Sequence, residues 1–142
     1  MLDNFFGDRE LQFLLCLVFS LICGLLVGLE RELRRKPAGI STQTLVITGA
    51  MMFTYLSSVI DGGDPNRIAA QVVSGIGFLG AGIILKSESR KKVTNVTTAA
   101  SIWYSAAIGM AIGFGLYFIA VFAVVFAVVI SRIPHVNKYL DE

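Results

Sequence analysis

The sequence predicts an all-α integral membrane protein, a bundle of about five transmembrane helices with the N-terminus outside and the C-terminus in the cytoplasm. Three observations predict it. Four long intervals carry no charged residue and together take up 100 of the 142 residues. Hydrophobic residues make up 55% and charged residues only 15%, against about 25% charged in soluble domains. The basic residues fall almost entirely on one side of the chain that results. This pattern excludes a soluble globular enzyme, a disordered regulator and a nucleic-acid-binding domain. The whole chain, residues 1–142, reads as a single transmembrane domain.

The elements follow in order. Glu10 and Glu30 bracket 19 uncharged residues, Lys36 and Asp61 bracket 24, and Arg67 and Lys86 bracket 18. Each suits one span, since a membrane helix needs about 20 apolar residues. The last interval, between Lys92 and Arg132, holds 39. As one helix it would rise about 58 Å, roughly twice the hydrocarbon thickness. Gly113-Phe114-Gly115 offers a backbone free to turn, which divides this interval in two. The predicted spans are 11–30, 42–60, 67–85, 94–112 and 115–131.

Charge sets the orientation independently. Arg31, Arg34, Arg35 and Lys36 follow span 1, Lys86, Arg90, Lys91 and Lys92 follow span 3, and Arg132 and Lys138 follow span 5. With five spans these ten fall on one face, which the positive-inside rule makes cytoplasmic. Only Arg9 and Arg67 fall outside it. The first ten residues include Asp3, Asp8 and Glu10, unlike the basic start of a secretory signal. Leu2, Phe5 and Phe6 suit a short segment on the outer surface. Cys16 and Cys23 lie two turns apart on one helix, too far for a disulfide, and read as small apolar fillers.

Several motifs need weighing. Gly75-Ile76-Gly77-Phe78-Leu79-Gly80 matches a dinucleotide fingerprint, but that motif works only between a strand and a helix. Inside a membrane span the same glycines let helix backbones approach closely. Span 3 carries Gly75, Gly77, Gly80 and Gly82 within eight residues, so it is expected to be the central, most crowded helix. Gly24/Gly28 and Gly109/Gly113 are two literal GxxxG pairs; such pairs are common by chance and weigh less.

Polar residues in or near the membrane are the functional candidates. Gln71, one turn into span 3, is expected to hydrogen-bond a neighbouring helix. Glu30 and Arg31, where span 1 meets the cytoplasm, read either as an interfacial salt bridge or as a sensing pair. Asp61 and Asp64 are weak candidates for a metal such as Mg²⁺. Asp64-Pro65 equally matches a helix N-cap, the preferred reading. Arg67 is expected to turn inward, towards a neighbouring helix end or towards Asp64 three residues before it. Spans 2 and 4 begin with Ser41, Thr42, Gln43 and Thr44, and with Thr94, Asn95, Thr97 and Thr98. Beside eight Lys and Arg these helix starts suit an anion site; the plainer reading is helix caps plus topology signals. His135 is the only histidine, and no Ser/His/Asp or Cys/His set supports nucleophilic catalysis.

Gly28-Leu29-Glu30-Arg31-Glu32, Ala38-Gly39, the block from Asp64 to Gly82 and the stretch Thr97-Thr98-Ala99-Ala100-Ser101-Ile102-Trp103 closely resemble the MgtC/SapB family. The match runs from about residue 20 to 115. The resemblance implies a bacterial inner-membrane protein of about five spans, needed under magnesium limitation and, in pathogens, for survival inside phagocytes. It also implies modulation of other membrane proteins, the ATP synthase or transporters among them, while the family name suggests direct magnesium transport. Many members carry a further soluble domain after the membrane part; here the sequence runs about ten residues past span 5, so that domain is expected to be missing. Some members have Asn where this chain has Thr97 and Cys where it has Tyr104, so functions tied to those side chains do not carry over.

The leading expectation is a non-enzymatic protein of magnesium and ion homeostasis, without a cofactor, embedded in the lipid bilayer and packing against itself and other membrane proteins. The alternative is an ion transporter or channel formed by an oligomer. The small residues of span 3 suggest a two-fold homodimer with Gly75, Gly77, Gly80 and Gly82 in or just behind the contact, or else packing of those glycines within one subunit.

Overall fold

A computed structural model describes residues 7–60, 64–85 and 95–133. Five helices follow one another: α1 (Asp8–Leu33), α2 (Ile40–Val59), α3 (Pro65–Leu85), α4 (Val96–Gly113) and α5 (Tyr117–Ser131). The described residues contain no strand, so the glycine fingerprint lies within a helix. α1, α3 and α4 are long and apolar enough to cross a membrane, and α5 is a shorter apolar helix. Leucine, valine and phenylalanine side chains stand exposed around the bundle, Phe118, Phe78 and Leu33 most of all. Such an apolar surface is what lipid, not water, solvates.

Local chemistry explains the helix ends. α1 starts with Asp8 and Glu10 in its first turn and has Arg31 in its last, matching the helix dipole at both ends. It stops in a Schellman motif: Lys36 N–H donates to Arg31 O at 3.0 Å and Arg35 N–H to Glu32 O at 2.9 Å. Arg35 takes the left-handed conformation at φ 52°, a position that glycine usually fills. α4 ends the same way, with Leu116 N–H on Ala111 O at 2.8 Å and Gly115 N–H on Ile112 O at 2.9 Å. There the left-handed residue is Gly115, at φ 76°. α3 begins at Pro65, directly after Asp64, with Arg67 N–H on Asp64 O at 3.0 Å.

The starts of α2 and α4 correct the sequence reading. The N-cap positions are Gly39 and Asn95, and neither makes a side-chain cap. Instead Glu32 reaches across from α1, its Oε2 accepting the Ile40 N–H at 3.2 Å. Of the hydroxyl and amide side chains expected as caps, Gln43 and Thr98 bond elsewhere, and Thr94 lies outside the described residues.

α2 and α4 form the centre. α4 touches every other helix and α2 touches α1, α3 and α4, whereas α3 touches only α2 and α4. The expectation that span 3 is the crowded middle is therefore wrong. The close approaches occur at the two GxxxG pairs instead. A Cβ on Gly24 would lie 2.5 Å from Thr44 Cα. On Gly28 it would strike the Ile40 backbone, and on Gly109 the carbonyl oxygen of Ile47. On Gly113 it would come within 2.6 Å of Met51 O. Both pairs pack on α2, Gly24 and Gly28 against residues 40–44 and Gly109 and Gly113 against residues 47–54, and Ile47, Met51, Ile108 and Ile112 are fully buried there. A second set of contacts closes the far end, where Tyr55 Oη donates to Arg9 O at 2.6 Å and the Phe13 and Tyr55 rings lie 5.4 Å apart. Cys16 and Cys23 are free and buried; Cys16 Sγ lies 3.2 Å from Tyr117 Oη.

Candidate functional site

The polar chemistry gathers at the end of the bundle where α1 and α5 finish and α2 and α4 begin. Its centre is Arg31, 2% exposed. The Schellman turn after α1 folds the chain back so that two carbonyls meet the guanidinium. Arg31 Nε donates to Pro37 O at 3.0 Å and to Ala38 O at 3.1 Å. Nη2 donates to Pro37 O at 2.7 Å and to Thr98 Oγ1 on α4 at 3.0 Å. Ala38 is held in the left-handed region at φ 58°, a conformation unfavourable for alanine that the bonds to its carbonyl offset.

Ala38 O also accepts from Gln43 Nε2 at 3.2 Å. Gln43 is wholly buried on α2. It donates to Ser101 Oγ at 3.3 Å and accepts from Ser105 Oγ at 2.6 Å. One connected network therefore ties α1, α2 and α4 through Arg31, the 37–38 turn and Gln43. Gln43→Leu removes the acceptor of Ser105 and is expected to cost about 1–3 kcal/mol, read as a lower unfolding midpoint in detergent.

Two further cations of the same segment engage the end of α5, and one of them also an acid of α1. Arg34 Nη1 and Lys36 Nζ both donate to Ser131 O, each at 2.9 Å. They thus meet the negative end of the α5 dipole. Arg34 Nη1 also lies 3.6 Å from Glu30 Oε1, an ion pair longer than a hydrogen bond. Glu30 is 7% exposed, and neither of its buried oxygens has a hydrogen-bond partner among the described residues. The reading of Glu30 and Arg31 as an interfacial salt bridge is thus corrected: both are buried, and Arg31 bonds to other groups while Glu30 lies nearest Arg34. Burial, and then repulsion from Arg34, push the Lys36 ammonium below its usual pKa, with Glu30 opposing.

The other sequence candidates lie apart from this network. Gln71 is exposed on α3 and has no hydrogen bond among the described residues, against the expected interhelix bond. It lines an apolar groove of about 480 Å³ between α2 and α3, with Phe53 and Ile76. Arg67 is exposed as well and does not turn into the bundle. Thr97 is exposed, Thr98 buried, and Asn95 half-buried in a left-handed conformation. Among the described residues, Gly75, Gly77 and Gly82 have no atom beyond their own helix turn within 4 Å of an added Cβ, while Gly80 faces Ala99 Cβ at 3.6 Å. Asp61 lies outside the described residues. Among the described residues no three His, Cys, Asp or Glu side chains are grouped to hold a metal.

Gln43 was read only as part of a helix start, and Ser101 and Ser105 were not singled out as site residues. The signal was available: an amide inside an uncharged span needs partners there, the argument applied to Gln71 and equally valid for Gln43.

A helical bundle with an apolar exterior, three membrane-length helices and a buried polar network at one end defines a membrane protein. The MgtC family profile matches residues 17–138, and the chain belongs to that family. It is 49% identical over 96 residues to protein MgtC of Brucella abortus (strain 2308), covering 67% of this chain and 40% of that protein. It is 45% identical over 105 residues to protein MgtC of Salmonella typhimurium (strain LT2), covering 72% of this chain and 45% of that one. The chain thus spans less than half the length of the curated relatives it matches. No solved structure matches it significantly.

Proposed function

We propose that the protein is a non-enzymatic, multi-pass component of the bacterial inner membrane, with its polar end cytoplasmic. It acts in magnesium homeostasis by docking against a second copy and against other membrane proteins. The observation that carries this reading is the outer face of α3. Gly75, Gly77 and Gly82 have open space where a Cβ would stand, and small residues on an open helix face allow another helix to approach closely. The bundle centre favours docking over conduction, because Gly109 and Gly113 bring α4 against the backbone of α2. The family resemblance supplies the physiological setting.

Two experiments test it. A cysteine pair on α3 should crosslink wild-type dimers in native membranes, and Gly77→Leu should abolish the crosslink while leaving the monomer folded. A strictly monomeric wild type would defeat the self-association. Purified protein in liposomes should show no saturable Mg²⁺ flux; saturable flux would replace docking with transport. For topology, a reporter after Glu142 should be cytoplasmic and one before Met1 periplasmic, as the ten-to-two split of Lys and Arg requires. Both termini on one side would mean an even number of spans.

A further inference from the structure

A second cleft, of about 430 Å³, opens beside the polar network between α1, α4 and α5. Its lining changes character along its length. Arg31, Lys36, Thr97 and Ser101 supply two cations and two hydroxyls, while Tyr104, Phe126 and Ile130 supply an apolar wall. The volume lies within the usual range for small-molecule sites, about 300–1,000 Å³.

Arg31 is buried, yet its bonds use only Nε and Nη2; Nη1 has no partner among the described residues. A buried guanidinium with one donor arm that no described residue engages, in a cleft it lines, has the chemistry to take an oxyanion. Lys36 adds a second charge on the same side. The segment 30–36 holds four cations against Glu30 and Glu32, so an anion entering there meets a favourable field even with the nearby carboxylate.

The apolar half decides what kind of anion. Phe126 and Ile130 line the cleft and are also exposed on the outer surface of α5. The wall is therefore continuous with the lipid-facing surface, and a hydrocarbon chain can enter sideways without crossing water. We propose that this cleft binds an anionic phospholipid, its phosphate beside Arg31 and Lys36 and one acyl chain along Phe126 and Ile130. The chain exchanges one apolar surrounding for another and gains little free energy, so selectivity rests on the headgroup. Basic pockets between membrane helices recognise anionic headgroups in this way.

The test uses purified protein stripped of lipid in detergent. Bound lipid is read by native mass spectrometry and stability by thermal unfolding. Phosphatidylglycerol should be retained and should raise the midpoint; phosphatidylcholine with the same chains should do neither. Ala100 lines the cleft at an exposed position, so Ala100→Phe fills the space without touching the Arg31 bonds. It should lower phosphatidylglycerol occupancy severalfold with helix content retained by circular dichroism. Lys36→Gln should lower the preference for phosphatidylglycerol over phosphatidylcholine by about fivefold. Equal retention of the two lipids would overturn the proposal, leaving only a non-selective lipid shell. Millimolar inorganic phosphate stabilising as well as phosphatidylglycerol would overturn it in favour of a soluble-anion site. Undiminished occupancy in both variants would show that the lipid binds elsewhere.

Discussion

Gly109→Ala is expected to cost at least about 3 kcal/mol and to leave little folded protein in detergent. Overpacking a well-packed interior usually costs about 1–3 kcal/mol when a side chain can yield. Here the new methyl would meet the carbonyl oxygen of Ile47, with Ala50 Cβ 2.9 Å away. A backbone carbonyl inside a helix has nowhere to move, so α2 and α4 must separate. That separation would loosen the contact at Gly113 and the buried Ile47, Met51, Ile108 and Ile112 around it. Gly77→Ala provides the contrast. No described residue outside its own helix turn lies within 4 Å of its added Cβ, so the monomer's unfolding midpoint should be unchanged or slightly raised. Size-exclusion profiles and thermal midpoints of the two variants check the comparison directly. A wild-type midpoint for Gly109→Ala would mean that α2 and α4 do not meet at this point.

The contrast also shows what the sequence carried. Charge-free intervals, the longest divided at Gly113-Phe114-Gly115, mark the five helices because a helix with an apolar exterior must exclude charge along most of its length. That constraint acts locally, and so it is written in consecutive residues. Which helix sits in the middle depends on faces that meet only after folding. Glycine density pointed to α3, yet the glycines buried in contacts are the two sparse pairs on α1 and α4. Density records how many residues are small, and only a facing backbone makes a small residue necessary. The polar site divides in the same way. Glu30 and Arg31 stand out as charges at the edge of an apolar run, and Thr98 stood among the candidates. Besides Thr98, the partners of Arg31 are the carbonyls of Pro37 and Ala38, groups that every residue possesses and no sequence pattern singles out. Ala38 adds to the difficulty, since its left-handed backbone is one that alanine gives no reason to expect.

Arg31→Met should destabilise the protein by about 3–5 kcal/mol, the range for removing one partner from a buried charged network. The substitution keeps much of the side-chain volume and deletes four hydrogen bonds at once. It leaves the Pro37 carbonyl without the two bonds it receives from Arg31, and Thr98 without its donor. It also removes a neighbouring positive charge from Glu30, whose carboxylate would rely on Arg34 at 3.6 Å. Arg31→Lys should lie between, because an ammonium keeps the charge but cannot span Pro37 O, Ala38 O and Thr98 Oγ1 with one planar fork. Thr98→Val deletes a single bond and should cost about 1 kcal/mol. The ordering separates two accounts of the site. If the guanidinium holds the turn, the loss grows from Thr98→Val through Arg31→Lys to Arg31→Met. A Thr98→Val loss as large as that of Arg31→Met would put the weight on the α1–α4 contact instead. Glu30→Gln completes the cycle. If Arg31 offsets the buried carboxylate, Arg31→Met should cost less in the Glu30→Gln background than alone, and strict additivity would show that Glu30 depends on Arg34 only.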